Sequence, residues 1–230
     1  FNPEHDIALA ANQERFTAPH AGRRLRTDLG FIPAFWASEG DMVLVDDVEA
    51  AIEARRHLSK FGKDVVFVTY ADLKAFAFED VESFRVDPWG WDRTIKEQLL
   101  RANSNLQPFM PSDDTLAAIR EMSSRRFAAE HLLPLLREAG EEKTVGEARY
   151  CTTMEDVKQA MAQNGKSVLK SPWSSSGRGV RYVETAAPDA HLEGWAANVV
   201  KRQGGIMVEP LYNKVYDFGL EFVSNSDGSI

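Results

Sequence analysis

The chain reads as an α/β protein built from successive layered units, and three observations point there. Short continuous apolar runs at 42–45 and 65–68 flank a helical stretch, the pattern of parallel strands covered on both faces. A β-α-β-β-α-β order then fills the region from Ala148 to Glu209. The connection between its two middle strands is long and made of small residues, unlike the two to five residues of an ordinary hairpin.

Taken in order, Asn2-Pro3-Glu4 predicts a helix start, with Asn2 as cap and Pro3 at the first helical position. Helical spacing resumes over 21–37. The run at 42–45 predicts a strand, 48–61 a helix and 65–68 a second strand. No G-x-G-x-x-G turn supports a dinucleotide-binding version of this unit. Asp87–Asp92 is a loop holding Pro-Trp-Gly-Trp, and Asp92 is placed to cap a helix over 93–103. The Asn-, Ser-, Gln- and Pro-containing segment 103–112 predicts a connector, followed by helices over 113–121 and 125–137. Strands are expected at 148–152, 167–170, 180–183 and 206–209. Helices are expected at 154–163, closed by Asn164-Gly165, and at 190–202, ended by Gly204-Gly205. No internal repeat or low-complexity tract is present.

Composition narrows the function classes. An apolar fraction of 43% with 27% charged residues is that of a soluble globular protein. No apolar run approaches the roughly 18 residues of a membrane span, and the first residues lack the pattern of a signal peptide. A net charge of −8 argues against a nucleic-acid-binding surface, though a small anion needs only a local basic pocket. The single cysteine, Cys151, excludes an internal disulfide framework and fits a reducing cytoplasm. It lies on an apolar strand and reads as inert core. Arg23, Arg24 and Arg26, like Arg55, Arg56 and Lys60, read as solvated helix faces. A chain opening on Phe1 is expected to have lost residues in front of it.

The chemistry concentrates in 168–180, Val-Leu-Lys-Ser-Pro-Trp-Ser-Ser-Ser-Gly-Arg-Gly-Val. Lys170 ends an apolar strand and faces a loop of three serines and two glycines. Small residues at a loop tip leave backbone N–H groups available and let a ligand approach closely. Such a loop suits a triphosphate, with Lys170 as a point charge; the alternative is a solvent-exposed flexible hairpin with Lys170 on the wet face. It is not a P-loop, because a strand follows. Farther on, Glu209 ends an apolar strand before Pro210 and Leu211, and Asp217 opens an apolar-alternating stretch. A strand-end carboxylate can accept from an adenine amino group, and a second carboxylate can bind ribose hydroxyls. Two acids flanking a loop are also common with no such role.

From about Ser123 to Ile230 the chain resembles the ATP-grasp superfamily, on the strand order, the lysine before the Ser/Gly loop and the Val-Glu hinge. The resemblance implies that Lys170 meets the ATP phosphates and that Ser174, Ser175, Ser176, Gly177 and Gly179 form the phosphate-covering loop. It makes Glu209 the hinge acid, Leu211 the backbone that meets adenine, and Asp217 the ribose-binding acid. A further basic residue is expected where the first helix begins, either Arg125 or Arg126. The implied fold is a leading α/β domain at 1–122, a small ATP-grasp subdomain at 123–205, and the start of an incomplete last subdomain at 206–230. The implied activity is ATP-dependent activation of a small-molecule carboxylate as an acyl-phosphate, captured by an amine or similar nucleophile. A kinase of the same family and a nucleotide-sensing module are the alternatives. Magnesium is implied, but its ligands, an acid followed by a Glu-x-Asn pair, are expected beyond Ile230, since Glu221 and Asn225 are too far apart. The piece is therefore expected to be inactive alone.

Of the remaining residues, His5, His20, His57, His131 and His191 have no zinc-ligand spacing. Trp89 and Trp91 read as loop anchors or pocket walls, and Trp173 as a lid residue. His5, Asp6, His20 and Arg23 are candidates for the acceptor substrate.

Overall fold

The computed structural model describes residues 1–57, 60–77, 84–140, 145–220, 223, 225, 227 and 229. The leading part carries α1 (His5–Ala11), α2 (His20–Leu29), a 3₁₀ turn at Ile32–Phe35, β1 (Met42–Leu44) and α3 (Val48–Arg56). It continues with β2 (Val66–Val68), α4 (Tyr70–Lys74), α5 (Arg93–Ala102), a 3₁₀ segment at Ser104–Phe109 and α6 (Asp113–Met122). β1 and β2 pair in parallel, Met42 opposite Val66 and Leu44 opposite Val68, with α3 as the crossover. Val43, Val45 and Phe67 pack with Phe31, Ala34 and Ala51 into one apolar cluster. Leu73, Ile95, Leu99 and Leu106 form a second.

Side-chain caps place the helices. Asp47 accepts from the Ala50 N–H at 3.0 Å, Thr69 and Asp72 form a reciprocal capping box, and Asp92 accepts from the Ile95 N–H at 2.9 Å. Asn2 does not cap α1, which starts at His5 with Glu4 in the cap position. Its amide instead donates to the Gly90 carbonyl at 2.8 Å, a partner that sequence spacing cannot reveal. The helix expected over 21–37 stops at Leu29, and a separate 3₁₀ turn begins at Ile32 with Pro33 in its first turn.

The second part opens with α7 (Arg125–Phe127), a π-helical stretch at Ala128–Leu132 and α8 (Leu133–Glu138). Pro134 has no N–H to give the Glu130 carbonyl, which accounts for the loosened turn in a run expected to be one regular helix. Next come β3 (Arg149–Cys151), α9 (Met154–Asn164), β4 (Ser167–Lys170), β5 (Val180–Val183), α10 (Ala190–Gln203) and β6 (Ile206–Pro210). The four strands form an antiparallel sheet in the order β3-β6-β4-β5. β6 lies inside this sheet, paired on both sides. The described residues thus form a mixed α/β structure with two small sheets.

Side chains alternate across each strand. Leu169, Val183, Ile206 and Val208 pack with Cys151, Val157, Met161 and Ala196 of the flanking strand and helices. Each such side chain stabilises by roughly 1.5–3 kcal/mol on burial. The intervening residues Val168, Lys170, Met207 and Glu209 take the other face. The two parts meet at Arg120, whose carbonyl accepts from Trp173 Nε1 of the second part at 2.9 Å while its Nε donates to the Leu9 carbonyl of the leading part at 2.8 Å. No described helix is long and apolar enough to cross a membrane.

Candidate functional site

Sheet register brings the first two predicted residues together. Val168 stands opposite Glu209 and Lys170 opposite Met207, so Lys170 and Glu209 are diagonal neighbours on one face. Their side chains form an ion pair, Nζ to Oε2 at 2.5 Å, each about a quarter exposed at 29% and 23%. A lysine that ends one strand and an acid near the end of its antiparallel neighbour converge because the register sets them two positions apart on the same face. Spacing along the chain, 39 residues, gives no hint of this contact.

The loop after β4 has a fixed root and an exposed tip. Ser171, Pro172 and Trp173 are buried, whereas Ser176, Gly177 and Arg178 are exposed. The Ser171 N–H donates to the Gly179 carbonyl at 2.8 Å, closing the neck. A Cβ on Gly179 would lie 2.4 Å from the Ser174 Cβ, so only glycine fits that approach. At the tip, Ser176 (φ 52°) and Gly177 (φ 70°) take left-handed backbone in succession, and the Arg178 N–H closes the turn on the Ser175 carbonyl at 3.2 Å.

Trp173 is no lid. It is 7% exposed, its Nε1 donates to the Arg120 carbonyl at 2.9 Å, and the Arg120 guanidinium stacks 3.9 Å from its ring. Its backbone is clamped by Gln203, which accepts from the Trp173 N–H at 3.0 Å and donates to its carbonyl at 3.2 Å. Composition marked the segment as loop but says nothing of the helices against which an aromatic side chain packs.

Arg125 and Arg126 part company. Arg125 Nη1 donates to the Ser171 carbonyl at 2.6 Å and to Ser174 Oγ at 2.9 Å, and Nη2 to the Ser174 carbonyl at 3.3 Å. It braces the loop root and has no carboxylate partner among the described residues. Arg126 pairs with Glu121 at 2.5 Å and Glu130 at 3.5 Å and lies 5.4 Å over the Tyr150 ring. Its charge is held up by the Glu121 hydrogen bond first, above the ordinary guanidinium value. Positive charge not already matched by a carboxylate therefore sits at the loop root with Arg125.

The remaining predicted residues are not assembled there. The Leu211 N–H, expected to meet adenine, donates to the Lys166 carbonyl at 3.0 Å, continuing the strand pairing. Asp217 is exposed and pairs locally with Lys214 at 2.7 Å. Residues 211–220 form no helix or strand, so the alternating pattern from Phe218 does not yield one in its described portion. Glu221 lies outside the described residues.

Of the other candidates, His5 Nδ1 is 3.0 Å from Asp92 Oδ2, and a Cβ on Gly90 would collide with the His5 ring. Trp89 packs edge-on to Phe1 at 5.6 Å, and Trp91 lies against the α5 cluster. Cys151 is fully buried, and burial pushes its thiol up to about 11. Among the described residues no group of three His, Cys, Asp or Glu side chains is placed to hold a metal. Two cavities, about 540 and about 630 Å³, lie elsewhere, lined by neither Lys170 nor its loop. No family model, curated protein or solved structure matches the chain.

Proposed function

We propose that this chain holds ATP for a ligase that activates a carboxylate as an acyl-phosphate. The observation that carries the reading is the pairing of a strand-end lysine with a tightly necked Ser/Gly loop whose root is braced by an arginine. Triphosphate oxygens would take backbone N–H groups of the exposed loop tip, other than that of Arg178, which donates to the Ser175 carbonyl, and the charges of Lys170 and Arg125. A phosphate would draw Lys170 from Glu209, freeing that carboxylate to accept from the adenine amino group. The Leu211 N–H is engaged within the sheet, so the adenine contact rests on Glu209 alone in this arrangement. Asp217 would have to move to meet a ribose.

Among the described residues no group of three acids, histidines or cysteines is placed to hold magnesium. What these residues do is hold the nucleotide and oppose negative charge on the transferring group. A phosphotransferase would use the same holding residues and differ in its acceptor. Calorimetry with ATP, GTP and inorganic triphosphate tests the reading. Guanine presents a carbonyl to Glu209, a mispairing of about 1–3 kcal/mol, so ATP is expected to bind roughly tenfold tighter than GTP. Equal binding of all three would remove the adenine contact and leave an anion loop.

A further inference from the structure

The leading part contains a second site that the nucleotide reading does not use. A cavity of about 540 Å³ runs along β1 from Asp41 to Asp46 and reaches the carboxyl ends of β1 and β2 at Asp46, Val68 and Tyr70. Ligands of open α/β sheets bind in the crevice beyond these strand ends, and the volume is that of a small-molecule pocket. Its floor is apolar, made by Leu73, Ile95, Leu99 and Leu106. Its polar wall includes Arg26, Asp41, Asp46 and Tyr70, with Arg85 and Asp87, which pair with each other at 3.6 Å.

The ionic groups at that wall are incompletely matched. Arg26 donates to Glu4 Oε1 at 2.7 Å, while its Nε lies 3.7 Å from Asp46 Oδ2, too far for a hydrogen bond. Glu4 is 8% exposed, and its Oε2 has no hydrogen-bond partner. Asp46 accepts from the Thr27 hydroxyl at 2.7 Å and stays about a third exposed at the cavity wall. Two carboxylates thus share one guanidinium. Burial raises Tyr70, and of the charges Arg26 opposes that rise while Asp46 and Glu4 add to it. An excess carboxylate beside an apolar pocket calls for a cation with an apolar body, and Asp46 is the group positioned to receive it.

We propose that this cavity binds a primary amine carried on a bulky apolar group, with the ammonium on Asp46 and the apolar body over Leu99 and Leu106. An α-amino acid with a large apolar side chain belongs to this class. The site is independent of the nucleotide reading, and its test contains no nucleotide.

The test is calorimetric titration of the intact chain with 2-phenylethylamine, L-phenylalanine and 3-phenylpropanoate. Both amines are expected to bind at least about tenfold tighter than the carboxylate-only probe. Asp46→Asn retains an acceptor for Thr27 and removes the charge, and it is expected to weaken 2-phenylethylamine at least about tenfold. Cooperative thermal unfolding of the variant confirms folding. Failure of 2-phenylethylamine to bind the folded chain, equal binding of 3-phenylpropanoate, or an Asp46→Asn variant that binds as well as the original would each overturn the proposal.

Discussion

Trp173→Ala separates a structural anchor from a mobile cover. The indole is 7% exposed, donates to the Arg120 carbonyl at 2.9 Å and lies 3.9 Å from the Arg120 guanidinium. Truncating a buried aromatic of this size costs about 3–5 kcal/mol. That is a large part of the 5–15 kcal/mol typical of a folded protein. Trp173→Phe keeps most of the ring but leaves the Arg120 carbonyl without its donor, and should cost about 1–2 kcal/mol. Arg120 also holds the Leu9 carbonyl, so the alanine variant should loosen the contact between the leading part and the loop. Urea unfolding followed by far-ultraviolet circular dichroism reads both costs, and hydrogen exchange of the Leu9 region reads the loosening. A Trp173→Ala protein of unchanged stability but weakened nucleotide affinity would restore the lid and refute the anchor.

Other expectations follow from the same geometry. Arg125→Ala strips the loop root of three hydrogen bonds and should speed protease cleavage within 174–178, while Arg126→Ala should not; equal effects would contradict the division of roles. Cys151 has a raised folded value of about 11, so its stabilising contribution is complete below the unfolded thiol value and lost as pH climbs through the folded one. Between about pH 9 and 11 the chain should lose on the order of 2–3 kcal/mol more than a Cys151→Ala variant, measured by urea unfolding; parallel pH profiles would contradict this. Asp217→Ala should leave the unfolding midpoint unchanged, because its carboxylate is exposed and pairs only with Lys214. If Asp217 moves to a bound ribose, the same variant should erase any preference for ATP over 2′-deoxy-ATP; a preference that survives would remove that role.

How far the sequence reached depended on where each signal lay. β4 and β5 appear at their expected bounds, because a continuous apolar run bounded by turn residues is a local signal. α5 begins where Asp92 was expected to cap it, for the same reason. Asn2 failed as a cap because its amide finds Gly90, 88 positions away. The helix after Ser124 contains a π-helical stretch that apolar periodicity does not encode, although Pro134 marked the place. At the candidate site, Lys170 and the loop were legible as residue types, and their pairing with Glu209 and Arg125 was not. Both contacts depend on sheet register and on a helix docking against the loop. Arg26, grouped with a solvated face, is instead shared between Glu4 and Asp46, a difference that only the packing of α2 against β1 creates.

The central claim is that Lys170 and its loop hold nucleotide phosphates, and one measurement addresses it most directly. Lys170→Met alone would leave Glu209 without its partner, at a cost of about 1–3 kcal/mol in stability, so it is combined with Glu209→Gln as a background. ATP is titrated by calorimetry into Glu209→Gln and into Lys170→Met/Glu209→Gln. The account predicts that the second protein, folded by circular dichroism, binds ATP about 1.5–3 kcal/mol more weakly than the first, roughly ten- to a hundredfold. Equal ATP affinity in the two proteins, or no ATP binding by the folded original chain, would contradict it.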